Sequence, residues 1–110
     1  MKNYLVTGGA GFIGTHLVKS LLDNSNKVSI IDNFKRSIPE RIKQFEHNPN
    51  FQAHNCDIRD INQIKPLFKD IDCVFHLAAI NGTANFYKIP IEIMNVGIDG
   101  IRNVLEASDY

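Results

Sequence analysis

Between an apolar stretch, Tyr4-Leu5-Val6, and a helical pattern, His16-Leu17-Val18-Lys19-Ser20-Leu21-Leu22, the chain places Thr7-Gly8-Gly9-Ala10-Gly11-Phe12-Ile13-Gly14. No other feature constrains the fold as much. Strand, glycine turn and helix in that order form the opening unit of a sheet that binds dinucleotides. Glycine lacks the Cβ that would block the tight turn and hold the backbone away from a pyrophosphate. The first free N–H groups of the helix then face the phosphates, and the helix dipole favours their negative charge. Gly9, Gly11 and Gly14 satisfy the G-x-G-x-x-G spacing. A second stretch, Lys27-Val28-Ser29-Ile30-Ile31-Asp32, reads as a strand ending in a carboxylate 18 residues after Gly14. An acid at about that distance is the expected partner of the adenosine ribose hydroxyls. The competing reading is a glycine-rich turn with a capping aspartate in some other α/β protein.

The rest of the chain repeats the alternation. Strands are expected at 3–7, 27–32, 51–55 and 72–77, and helices at 12–23, about 39–47, about 60–69 and about 91–107. Residues 33–38 form a polar connection, and Pro39 suits a first helical turn. Pro66 falls inside the third helical pattern and predicts a bend or a shortened helix there. Asp72-Cys73-Val74-Phe75-His76-Leu77 is almost continuously apolar, as a parallel strand covered on both faces should be. Strands alternating with helices imply a parallel sheet with right-handed crossovers. The expectation is an α/β Rossmann-type doubly wound sheet of four βα units, order 3-2-1-4, ending before a fifth strand.

Composition excludes several classes. With 110 residues the chain holds one domain, residues 1–110. Twelve basic residues balance twelve acidic ones, so no electrostatic footprint for nucleic acid or an acidic membrane exists. No apolar run approaches the length of a membrane span, and Met1-Lys2-Asn3 leads into a strand rather than a signal peptide. Cys56 and Cys73 lack metal-ligand spacing, and the sheet order would place them toward opposite edges, beyond reach of a disulfide. They read as reduced thiols of a cytoplasmic protein. His16, His47, His54 and His76 form no cluster that suggests a metal.

Taken together, these segments resemble the extended short-chain dehydrogenase/reductases, and more narrowly their NAD-dependent nucleotide-sugar epimerases and dehydratases. The resemblance is carried by Thr7 to Gly14, Ile31-Asp32-Asn33, Cys56-Asp57-Ile58-Arg59-Asp60, His76-Leu77-Ala78-Ala79, Asn95-Val96-Gly97 and Asn103-Val104-Leu105-Glu106-Ala107. It covers essentially the whole chain and implies cofactor-binding roles position by position. Gly8, Gly11 and Gly14 would form the turn, with Phe12 and Ile13 over the pyrophosphate. Asp32 would hold the adenosine ribose, with Asn33 and Lys35 beside it. Asp57 and Ile58 would hold the adenine. Leu77, Ala78 and Ala79 would pass the ribose and nicotinamide, Asn95 would contact the cofactor region, and Ile80 to Ala84 would open the substrate cleft. Other readings stay open: Asp57 as a helix cap, Ala78 and Ala79 as small packing residues, Asn95 as a bond to a backbone carbonyl. The Asp32 carboxylate favours NAD over NADP, because it repels a 2′-phosphate, while Lys35 and Arg36 pull the other way.

One departure matters. The family's Tyr-x-x-x-Lys base is missing: the tyrosines are Tyr4, Tyr87 and Tyr110, and none has lysine four residues on. The resemblance therefore implies the N-terminal, cofactor-binding part of an enzyme that uses reversible hydride transfer to NAD on a nucleotide sugar. Such a part would carry no catalytic acid–base group. The alternative is a non-catalytic nucleotide-binding or oligomerising module, with a homodimer formed through the open edge of strand four or through the last helix.

Overall fold

A computed structural model describes residues 1–109. Four strands form one parallel sheet: β1 (Asn3–Thr7), β2 (Lys27–Asp32), β3 (Phe51–Asn55) and β4 (Cys73–His76). Their spatial order is β3-β2-β1-β4. Asn3 pairs with Lys27, Val28 with Phe51 and Tyr4 with Cys73. The order matches the expectation and separates the two cysteines toward opposite edges; both are free, Cys56 half-buried and Cys73 exposed.

Both faces of the sheet are covered, which explains the continuously apolar strands. Leu5 and Val6 are adjacent and wholly buried, yet they enter different cores. Val6 packs with Val28, Ile30, Val18, Leu22 and Phe45 on the face of α1 (Phe12–Asp23). Leu5 and Ile31 pack with Ile58, Ile64, Phe68, Val96 and Val104 on the opposite face. That face is covered by α2 (Ile61–Ile64) and α4 (Pro90–Ser108). Each helix turns an i, i+4 stripe inward: Gly14, Val18 and Leu22 from α1, and Val96, Gly100 and Val104 from α4.

Three elements differ from expectation. The helix expected at 39–47 is a 3₁₀ helix, Pro39–Phe45, with Arg41 N–H donating to the Ile38 carbonyl at 3.0 Å. The helix expected at 60–69 is one α turn, Ile61–Ile64, followed by a 3₁₀ turn, Lys65–Phe68. Pro66 has no N–H to give the Asn62 carbonyl, so the α ladder stops there. A short helix, α3 (Thr83–Lys88), was not expected; it buries none of its residues. No helix among the described residues is long and apolar enough to cross a membrane.

Candidate functional site

A cleft of about 680 Å³ opens at the carboxyl ends of β1, β2 and β4, over the start of α1. In an open α/β sheet this is where ligands bind, between the strands at which the order reverses.

Its floor is the glycine turn. Gly8 has φ 70°, a left-handed conformation in which an L side chain is strained. Its N–H donates to the Ile31 carbonyl at 2.7 Å, and its own carbonyl accepts from Gly11 N–H at 3.1 Å. A Cβ on Gly14 would strike the Gly8 carbonyl oxygen and stand 2.8 Å from Gly9 Cα. The helix thus starts in backbone contact with the turn, and only glycine permits that. No side chain caps α1, and its first turn carries no acid. Its leading N–H groups have no intrahelical partner, and Phe12, Ile13 and Gly14 line the cleft.

Asp32 stands at the end of β2. Its Oδ2 accepts Ala10 N–H at 3.1 Å, and its Oδ1 accepts Phe34 N–H at 2.8 Å and the Ser37 hydroxyl at 3.2 Å. One carboxylate therefore ties the glycine turn to the loop after β2. Asn33 Oδ1 shapes the same loop by accepting Lys35 N–H at 3.1 Å.

Asp57 and Ile58 come from the loop after β3. Asp57 holds the Arg59 guanidinium in three contacts, the shortest 2.6 Å. That hydrogen bond holds the Asp57 carboxyl below the ordinary aspartate value. Helix α2 is capped by Asp60, which accepts Asn62 and Gln63 N–H; the capping role considered for Asp57 falls to that residue. Ile58 is clamped from α4: Asn103 Nδ2 donates to its carbonyl at 2.9 Å, and Gly100 leaves room for its side chain. Burial pushes the Cys56 thiol up, with Asp60 adding to the effect, so Cys56 stays protonated in the cleft wall.

The far wall is Leu77-Ala78-Ala79, leaving β4. Thr7 Oγ1 accepts N–H from Leu77 at 3.0 Å and from Ala78 at 3.1 Å. Ala78 N lies 2.9 Å from where a Gly8 Cβ would sit, so wall and turn are in contact.

Of the residues singled out from sequence, Gly8, Gly11, Phe12, Ile13, Gly14, Asp32, Asn33, Asp57, Ile58, Leu77, Ala78 and Ala79 all line this one cleft. Lys35 and Asn95 do not; both are exposed, and Arg36 and Val96, their chain neighbours, take the lining positions. Sequence reading missed Ser37, Arg41, Asn85 and Glu92. Arg41 stacks over the Phe12 ring at 5.7 Å, a contact between segments nearly thirty residues apart that no local pattern announces. Among the described residues no group of His, Cys, Asp and Glu is arranged to hold a metal ion.

Fold and cleft together define a Rossmann-type nucleotide cradle. The sequence pattern of the GDP-mannose 4,6-dehydratase family matches residues 5–109, and the chain belongs to that family. A UDP-N-acetyl-α-D-glucosaminuronate decarboxylase of Bacillus cytotoxicus is 37% identical over 107 residues, which are 97% of this chain and 33% of the relative. The UDP-glucose 4-epimerase of Stenotrophomonas maltophila, solved with NAD bound, superposes with a TM-score of 0.88 at 31% identity, over 97% of this chain and 33% of that one. The dTDP-glucose 4,6-dehydratase of Streptomyces venezuelae, also solved with NAD, shares the fold with a TM-score of 0.90 at 24% identity, over 96% of this chain and 35% of that one. The chain thus spans about a third of the length of these proteins. The matched relatives are enzymes, which does not favour the reading as a non-catalytic module.

Proposed function

We propose that residues 1–110 are the NAD-binding part of an enzyme that modifies a nucleotide sugar by reversible hydride transfer, as an epimerase or dehydratase. The observation that carries this is the fit of the cleft to a dinucleotide. The Gly14 and Gly8 positions hold helix, turn and far wall in backbone contact, and the first turn of α1, with no side-chain cap and no acid, lines the cleft where the phosphates would approach. Asp32 would take the adenosine ribose. Asp57 and Ile58 would take the adenine, one polar and one apolar. Ala78 and Ala79 would pass the nicotinamide end without obstructing it. When bound, NAD supplies the hydride acceptor and donor. These residues bind and orient it, and no group in the cleft is assigned to move the substrate's proton, so the chain alone is expected not to turn over a nucleotide sugar.

The reduced thiols Cys56 and Cys73 support a cytoplasmic setting. Association with a second copy is supported by α4, where Ile91, Met94, Ile98, Ile101 and Leu105 form an exposed stripe at alternating spacings of three and four. A strict monomer in sedimentation at high micromolar concentration would remove that part of the reading.

Calorimetric titration of NAD and NADP into the chain tests the rest. NAD should bind in preference to NADP, and both Asp32→Ala and Gly11→Val should abolish binding. A folded chain that takes up neither cofactor overturns the proposal.

A further inference from the structure

We propose that His76 is a positioning residue for the cleft. Its Nδ1 accepts a hydrogen bond from the Thr7 hydroxyl, which leaves the lone pairs of Thr7 Oγ1 to receive the backbone N–H groups of the far wall. The inference rests on the reading of the cleft as an NAD cradle and adds a residue outside its lining.

The argument is one of donor counting. Thr7 is wholly buried. Its Oγ1 lies 2.7 Å from His76 Nδ1, 3.0 Å from Leu77 N and 3.1 Å from Ala78 N. A hydroxyl has one proton to give and two lone pairs to receive with. The two backbone amides can only donate: Ala78 N–H bonds Oγ1, and Leu77 N–H is shared between Oγ1 and the Thr7 carbonyl. Neither can accept the hydroxyl proton, whereas Nδ1 stands within reach to accept it as the unprotonated ring nitrogen. His76 is therefore the neutral tautomer with its proton on Nε2. Burial, which pushes His76 below the ordinary imidazole value, agrees with a neutral ring.

The arrangement matters because of where the amides belong. Leu77 N–H also reaches the Thr7 carbonyl, at 3.1 Å, so it keeps a partner if the hydroxyl turns away. The bond to Thr7 Oγ1 is the one that fixes Ala78 N–H, and Ala78 N is the atom pressed against Gly8. Without an acceptor at position 76, the hydroxyl proton has to compete for the space the two amides fill. The Leu77–Ala79 wall then loses its fixed distance from the glycine turn. A buried N–H left without a partner is costly, so the wall relaxes rather than holding its place.

The test compares His76→Asn with His76→Leu. Asparagine places an acceptor oxygen near the Nδ1 position, whereas leucine fills the volume and accepts nothing. The Leu variant should bind NAD about ten-fold more weakly and the Asn variant within about three-fold of the parent. A merely space-filling role predicts the reverse order, because leucine packs better. Independently, proton–nitrogen correlation spectra of the imidazole in the unmodified chain should show the proton on Nε2. A proton on Nδ1, or equal NAD affinity for the two variants, overturns the assignment. The spectrum requires no cofactor, so it decides the matter even if a variant fails to fold. Failure of the unmodified chain to bind NAD would instead overturn the cradle reading.

Discussion

Replacing Gly14 with alanine puts a methyl group where the Gly8 carbonyl oxygen and Gly9 Cα, at 2.8 Å, already stand. Comfortable carbon–carbon contact needs about 3.5–4.0 Å, so α1 must shift from the turn by close to an ångström. The obstructing atoms are backbone, and none can rotate aside. Overpacking of this kind costs about 1–3 kcal/mol, and alanine's helix preference over glycine returns about 1 kcal/mol. The net expectation is a loss of up to about 2 kcal/mol. Gly97 provides the opposite case. It lies within α4 with nothing within 4 Å of its would-be Cβ, so Gly97→Ala should gain about 1 kcal/mol from helix preference alone. The two variants should differ by about 1–3 kcal/mol, a separation in Tm of roughly 5–20 °C for a domain of this size. Thermal and urea unfolding followed by circular dichroism reads the difference. NAD titration should show binding lost in Gly14→Ala and retained in Gly97→Ala. If Gly14→Ala melts at or above the parent, the contact between helix and turn is not what confines the position to glycine.

Asp32→Ala strips the acceptor from Ala10 N–H, Phe34 N–H and the Ser37 hydroxyl; urea unfolding should show a loss of about 1–3 kcal/mol, and an unchanged midpoint would contradict the bridging role. Gly100→Ala drives its methyl group into the Cδ1 end of Ile58, whose side chain must shift to make room. The chain should stay folded while NAD binding weakens several-fold in calorimetry. Asp57 titrates lower in the folded chain than in the unfolded one because Arg59 bonds its charged form. Its stabilisation is therefore complete above the ordinary aspartate value and fades as pH falls through the lower, folded value. Arg59→Gln should cost about 0.5 kcal/mol at pH 7, given the exposure of the pair. That gap should close as the pH falls below the ordinary aspartate value and through the lower, folded one, and a gap that widens on acidification would refute the sign.

The parallel core was legible because both of its periodicities are local. Leu5-Val6 and Ile30-Ile31 announce strands buried on both faces, and the spacing of Val18 and Leu22 announces a helix. The glycine turn was legible for a different reason: its residues exclude side chains, and that exclusion is written in composition. Elements that rest on few tertiary contacts were harder. Helix α3 has no buried stripe, so no periodicity marks it. The 39–47 segment reads as helical, yet it is a 3₁₀ helix; the distinction lies in hydrogen-bond reach, not in residue type. Arg36, Ser37 and Arg41 reach the cleft through a loop path fixed by Asp32, which no spacing rule encodes. Asn95 was placed in the site by resemblance, but the helical phase of α4 turns Glu92 and Val96 inward instead.

The register of the sheet also sets an order of assembly. Asn3 pairs with Lys27, 24 residues on, whereas Tyr4 pairs with Cys73, 69 residues on. Closing the longer loop costs about 1 kcal/mol more in chain entropy. The β1–α1–β2 unit is thus expected to form first and β4 to dock last, an order that pulse-labelled hydrogen exchange would read as late protection of residues 73–76. Until β4 arrives, β1 is an open edge flanked by half-built cores, the state in which such chains associate wrongly. As the chain leaves the ribosome, the nucleotide cleft would be finished only when its last wall does, so cofactor cannot template the early steps of folding.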